Sequence, residues 1–150
     1  MSHTYSSLRI HVIFSTKERQ IRLPEEIQPK LWAYIAGIAR HHEFEAIRIG
    51  GAGDHCHALI LLPPPMPLSK AVQTLKGCSS KWLNDTSVAG GRFAWQEGYG
   101  AFSVSASQTA AVVEYIGNQP EHHKKRNYEE EFLELLKRYG IACDPAHVLG

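Results

Sequence analysis

Hydrophobic positions along the chain switch repeatedly between a period of two and a period near 3.6, and those switches predict the order of elements. In "SSLRIHVIFSTKER", Leu8, Ile10, Val12 and Phe14 alternate with Arg9, His11 and Ile13, which predicts a strand over 8–14 left by a basic loop. Residues 24–42 open with Pro24-Glu25-Glu26, a favourable first turn, and carry Ile27, Leu31, Tyr34, Ile35 and Ile38 at helical spacing. In "FEAIRIGGAGDHCHALILLP" two apolar runs, 44–49 and 55–62, flank a glycine-rich turn and predict an antiparallel hairpin. No helix follows "GGAG", so it is not read as a phosphate loop.

The second half continues the pattern. A helix runs from Leu68 to about Leu83 with Leu68, Val72, Leu75, Trp82 and Leu83 on one stripe; Lys70 and Lys81 fall away from it and Lys76 sits on its border. "NDTSVAGG" reads as a loop and "RFAWQEGYGAFSVSAS" as strand material folded at Glu97-Gly98. A third helix over about 108–118 has Ser107 as its N-cap and Pro120 as its stop. "EHHKKRN" is a basic connector, and "YEEEFLELLKRYG" a final amphipathic helix with Phe132, Leu135, Leu136 and Tyr139 in register, closed by Gly140. The order β-α-β-β-α-β plus helices predicts an α+β fold, the ferredoxin-like split βαβ plan with an antiparallel sheet and C-terminal helices. A sheet of that kind can leave one face free for a site. The expected organisation is one domain over 1–150, with a core of about 5–106, a helix at about 107–119 and a C-terminal helix at about 127–140.

Composition narrows the class without changing the fold. With 150 residues, 43% hydrophobic and 21% charged, the chain can bury a core unaided and reads as a soluble globular protein. The longest apolar stretch, 58–68, is interrupted by four prolines and is too short to span a membrane, and no signal-peptide layout opens the chain; the expected location is cytoplasmic. Cys56, Cys78 and Cys143 are an odd number at no metal-type spacing and are read as reduced thiols. A formal charge of +1 argues against a protein that grips nucleic acid over its whole surface, while local Lys/Arg clusters leave room for a patch.

Chemistry concentrates in two places. His55 and His57 are two apart on a strand and share a face, whereas Cys56 points to the other. Such a pair is either hydrogen-bonded and structural or two of the ligands of an ion, since neutral imidazole is a common metal donor; two histidines need a third ligand. In "VVEYIGNQPEHHKKR", Tyr115 and Gln119 are four apart and share a helix face if the helix persists, although Pro120 disfavours helical backbone at Gln119. Read as structure alone, they are a half-buried tyrosine and a solvated helix end.

Taken together, "HVIFSTKER", "DHCHALILLP", "LSKAVQTLKGCSSKWLN", "FAWQEGYGAFSVS" and "YIGNQPEHHKK", in unbroken order over about residues 5–128, resemble the single-tyrosine HUH transposases of small insertion sequences, including those associated with repetitive extragenic palindromes. The resemblance implies an HUH endonuclease-like fold and a transposase that cleaves and rejoins single-stranded DNA at element ends. It implies Tyr115 as nucleophile, forming a 5′-phosphotyrosine, and His55, His57 and Gln119 as ligands of one divalent ion. The donor set suits Mg²⁺ or Mn²⁺. Cys56 stands where the family usually has a larger apolar residue. DNA hairpins are the implied partner and a homodimer the implied assembly. Lys17, Arg19, Arg22, Lys70, Lys76, Lys81, Lys124, Lys125 and Arg126 are the candidates for contact with the strand, each otherwise a solvated charge. Trp95, Tyr99 and Phe102 could stack bases, although hairpin aromatics more often enter cores. Two other classes compete: a domesticated or non-catalytic nucleic-acid-binding protein of the same fold, and a metal-dependent hydrolase that uses water as nucleophile.

Overall fold

The first apolar run becomes β1 (Arg9–Ser15), one of the two inner strands of a four-stranded sheet. A computed structural model describes residues 3–19, 22–86 and 92–144; part of the predicted loop 84–91 lies outside the described residues. The remaining strands are β2 (Glu45–Ala52), β3 (His55–Leu61) and β4 (Gly100–Val104), in the order β2-β3-β1-β4 with every pairing antiparallel. With α1 (Gln28–His41) between β1 and β2 and α2 (Leu68–Thr86) between β3 and β4, this is the α+β split βαβ arrangement expected from the order of periods. The glycine-rich run is not all turn: β2 extends through Gly50 and Gly51 to Ala52, which pairs with His55, so the hairpin closes over Gly53 and Asp54 alone.

β1 and β3 are covered on both faces, which explains why apolar residues such as Ile13 and Leu59 lie on the face opposite Val12 and Ala58. Val12, Phe14, Cys56, Ala58 and Ile60 face Leu31 and Ile35 of α1 and Val72 and Leu75 of α2. On the other face Ile13 and Phe102 meet Tyr128, Phe132, Leu135 and Leu136 of α5 (Tyr128–Arg138), and Leu59 and Val104 meet Ile116 of α3 (Thr109–Gly117). The face expected to be open is therefore roofed by the C-terminal helices, because its own apolar side chains need burial. α5 starts on Asn127 in a reciprocal cap: its side chain accepts from Glu130 N at 2.9 Å, and Glu130 Oε1 accepts from Asn127 N at 3.3 Å.

Three expectations need correction. The 92–104 stretch is not a hairpin: before β4 it makes only the bridge Thr16–Trp95, and Gln96 instead closes the end of β1 through Oε1 to Ser15 N at 2.7 Å and N to Ser15 O at 2.9 Å. Trp95 is buried edge-on against Phe14 and Phe93, and Phe102 lies in the core with Tyr139 stacked on it, so neither indole nor phenyl is free to receive a base; Tyr99 is exposed. The third helix does not persist to 118. It breaks at Asn118, and Gln119 opens a new turn, α4 (Gln119–His122), whose start accommodates Pro120 where no backbone N–H is needed. Ser107 is not its N-cap but part of the preceding 3₁₀ turn Ala106–Gln108. Among the described residues no helix is long and apolar enough to cross a membrane.

Gly50 sets how closely α3 approaches the sheet. A Cβ there would stand 2.7 Å from the Ile116 carbonyl oxygen and 2.8 Å from its side chain. We expect Gly50→Ala to cost about 1–3 kcal/mol in urea unfolding, as overpacking does, and to slow any chemistry that uses Tyr115, because the helix must move outward; an unchanged midpoint would show that the contact is slack.

Candidate active site and metal centre

The pleat of β3 sends His55 and His57 toward the face roofed by the C-terminal helices and buries Cys56 in the opposite core; all three are fully buried. Each imidazole is held from behind. Asp54 Oδ1 lies 2.8 Å from His55 Nδ1, and His11 Nε2 lies 2.7 Å from His57 Nδ1. In front, His55 Nε2 faces Gln119 Oε1 at 2.9 Å and Glu131 Oε1 at 3.6 Å, and His57 Nε2 faces Glu131 Oε1 at 3.1 Å. Glu131 Oε2 accepts from Gln119 Nε2 at 3.0 Å and from the Tyr115 hydroxyl. His123 Nε2 sits 2.9 Å from Gln119 Oε1 and 3.2 Å from Glu131 Oε1.

This arrangement has a proton deficit. A neutral imidazole carries one N–H. If His55 donates its Nδ1–H to Asp54, its Nε2 lone pair points at two oxygens. Turning the Gln119 amide would set its oxygen against Glu131 Oε2, to which Nε2 donates as it stands. A carboxylate behind a histidine is the usual way of presenting Nε2 to a cation. His55, His57 and Glu131 each offer an atom within 4.8 Å of the others, a donor set of nitrogen and oxygen suited to a divalent ion.

Electrostatics follow from burial and these partners. Burial lowers His57 to about 4, opposed by Glu131, and lowers His11 to about 3, with His57 adding to the effect. Both rings are thus neutral at pH 7, which leaves His57 able to serve as a ligand. Burial alone would lift the Glu131 carboxyl, yet hydrogen bonds from His123, His57 and Tyr115 hold it well below the usual carboxylate range. The Tyr115 phenol is pushed up by burial and then by the adjacent Glu131 carboxylate, so without a cation it keeps its proton.

The two lowered histidines dictate a pH dependence. An imidazole titrating near 6.5 when unfolded and lower when folded binds more protons in the unfolded chain, so stability falls as pH drops through that window. We expect chelator-treated protein to lose stability from about pH 6.5 toward pH 4, at up to about 1.4 kcal/mol per pH unit per imidazole. Urea midpoints at pH 7 and 5.5 read this directly. His11→Asn should flatten the slope, and equal midpoints at both pH values would contradict the assignment.

The structure brings His55, His57, Tyr115 and Gln119 together, and the break at Asn118 does not separate the last two, since both bond Glu131 Oε2. The basic residues divide. Arg22 is exposed with Nη1 3.9 Å from Asp54 Oδ2, Lys17 is exposed and Arg19 lies in the same turn. Lys124 and Lys125 project from the connector beside the site, while Arg126 is tied to Glu134. Lys70, Lys76 and Lys81 belong to α2, on the far side of the sheet from the histidines. Of these, Lys76 spends its ammonium on the Glu97 and Gly98 carbonyls, and Lys81 pairs with Asp85.

Sequence reasoning missed Asp54, His11, His123 and Glu131. The last had a readable signal: Glu131 falls on the stripe of Tyr128, Phe132, Leu135 and Leu136 and is fully buried, where an unpaired charge would be costly. The others had none, because their roles come from pairings across the sheet and the connector. Beside Tyr115 lies a cleft of about 580 Å³ whose walls include His11, Ser105, Gln108, Arg138 and Tyr139, and it gives access to the phenol.

The family model described as "Transposase IS200 like" matches residues 4–119. The transposase for insertion sequence element IS200 of Salmonella typhimurium is 26% identical over 129 residues, spanning 83% of this chain and 84% of that protein. The ISDra2 transposase TnpA of Deinococcus radiodurans is 27% identical over 118 residues, 75% of this chain and 84% of that one. Among solved structures, a transposase crystal structure from Deinococcus radiodurans R1 superimposes with TM-score 0.61 at 25% identity, over 79% of this chain and 96% of the other. A REP-associated tyrosine transposase bound to a REP hairpin superimposes with TM-score 0.59 at 17% identity, over 82% and 74%.

Proposed function

The chain belongs to the IS200-like transposase family, and from that premise we propose that it cleaves and rejoins single-stranded DNA at element ends through a 5′-phosphotyrosine on Tyr115. The observation that carries the reading is the convergence, inside one chain, of the Tyr115 hydroxyl, the Gln119 amide and two buried imidazoles on a single buried carboxylate. His55, His57 and Gln119 would hold a divalent ion, Mg²⁺ or Mn²⁺, and the lone pairs facing one another between His55 and Gln119 fit such an occupant. When bound, the cation offsets charge on the oxygens of the scissile phosphate and makes phosphorus more open to attack.

The protein's own groups then have distinct tasks. Asp54 and His11 fix the ring planes of His55 and His57. Tyr115 Oη forms the bond to phosphorus and the bond to the 3′ oxygen breaks; the phenolic proton ends on the released 3′-OH. Neither water nor ATP is consumed, and the phosphotyrosine keeps the bond for a later strand to claim. The cleft beside Tyr115, which Arg138 helps to line, is the approach for the strand, and Lys17, Arg19, Arg22, Lys124, Lys125 and Arg126 track the backbone. Lys70, Lys76 and Lys81 serve a more distant part of the DNA. A hairpin partner is supported by the REP hairpin held by the structural relative.

The test is a labelled single-stranded hairpin incubated with protein and Mn²⁺, then run on a denaturing gel. A protein-linked DNA band is expected. Free cleaved DNA without that band would favour the hydrolase, and binding in a native gel without cleavage the non-catalytic protein.

In the homodimer implied by the resemblance, each protomer has its tyrosine and ligands in one chain, so we assign cleavage in cis. Mixing Tyr115→Phe with His55→Ala protein should restore no adduct. Recovery toward a quarter or more of the wild-type yield would place the tyrosine on the partner's site.

A further inference from the structure

We propose that Glu131, on α5 and beyond the segment shared with the family, is a further ligand of the catalytic ion through Oε1 and the acceptor that aims the Tyr115 hydroxyl through Oε2. The inference rests on the proposed ion site and adds a residue to it. Glu131 is a carboxylate at 0% exposure on a helix whose other buried members, Tyr128, Phe132, Leu135 and Leu136, are apolar or aromatic. Packing gives no reason for a charge there, and an apolar side chain would fill the position at lower desolvation cost.

The geometry supplies the reason. Oε1 lies 3.1 Å from His57 Nε2 and 3.6 Å from His55 Nε2. Adjacent donors around an ion with bonds of about 2.1 Å stand about 3 Å apart, so Oε1 already stands near the spacing of a neighbouring ligand from each imidazole, with all three atoms within 4.8 Å of one another. Two imidazoles and one carboxylate on one face of an ion, with other positions left open, is a recurrent catalytic donor set. The second oxygen is not idle. Oε2 takes the Tyr115 hydroxyl and the Gln119 amide N–H, so one carboxylate ties the nucleophile, the third ligand and the cation position together.

A consequence is that the ion site is complete only when α5 is docked. Its attachment is the Ile13, Phe102, Phe132 and Leu136 cluster together with the Asn127 cap.

Manganese binding by the full chain tests this apart from catalysis. Free Mn²⁺ is read by electron paramagnetic resonance in titrations of wild type, Glu131→Gln and His55→Ala. Glu131→Gln keeps the shape and removes the anionic donor; it should weaken Mn²⁺ binding about tenfold or more. At saturating Mn²⁺ it should still form the phosphotyrosine adduct more slowly than wild type, because the hydroxyl has lost its acceptor. Wild-type affinity in Glu131→Gln beside lost affinity in His55→Ala overturns the role of Glu131 and leaves the ion site standing. Wild-type affinity in His55→Ala overturns both. Should Glu131→Gln not fold, Glu131→Asp retains the charge but withdraws it by one methylene; a tenfold loss of affinity is again expected, and unchanged affinity counts against the proposal.

Discussion

Replacing Tyr115 with phenylalanine should remove the protein-linked DNA band entirely, a fall of at least about 10³-fold in adduct formation, because no other group can occupy the position of the lost oxygen. The ring is half-buried, packed edge-on to His57 with centroids 5.8 Å apart and tilted against His122 at 4.7 Å. Phenylalanine keeps those contacts. The hydrogen bond to the Glu131 carboxylate is lost, about 1.5–3 kcal/mol of stability, so the variant should fold and still bind hairpin DNA in a native gel. An adduct that persists in Tyr115→Phe would move the nucleophile elsewhere. Cleaved but unlinked DNA would point to water.

The next largest effect should come from the histidine pair. His57→Ala removes one ion donor and exposes Glu131 Oε1 and His11 Nε2 without their shared partner. Adduct formation at millimolar Mn²⁺ should drop by at least about 10²–10³-fold, the range for losing a principal electrostatic stabiliser of the transition state. Chelator should do the same to wild type and excess Mn²⁺ should reverse it there, but not in the variant. The proposed ion would also answer a problem set by the site itself, where burial and Glu131 push the phenol up and hold its proton in place. Glu131, His55 and His57 would hold that ion, whose positive charge would offset the carboxylate's effect on the phenol. If His57→Ala cleaves at the wild-type rate in the same Mn²⁺, the pair is structural.

How much of this was legible in the chain depends on how local the cause is. The strands and main helices follow from periodicity, because burial on one or both faces acts through the positions themselves; β1 and β3 are examples, both covered on two sides and carrying apolar residues on each. The shared direction of His55 and His57, with Cys56 opposed, follows from the pleat and needs no tertiary knowledge. The 92–99 segment misled because its aromatic content resembles a strand, while its actual partners are side-chain contacts to the end of β1 and to Phe14. The break before Gln119 was half visible in Pro120, which predicted an end but not a restart.

By itself the sequence determined the α+β order, the common face of the two histidines and the nearness of Tyr115 to Gln119, since each is a consequence of spacing along a few residues. What only the tertiary structure decided is that these groups meet. His55 and Gln119 are 64 positions apart and His57 and Glu131 are 74 apart, and no periodicity reaches so far. Their meeting depends on α3 settling against Gly50 and α5 burying its apolar stripe on Ile13 and Phe102. That burial carries Glu131 into the space between two imidazoles and a phenol, where a charge is tolerable only among such partners.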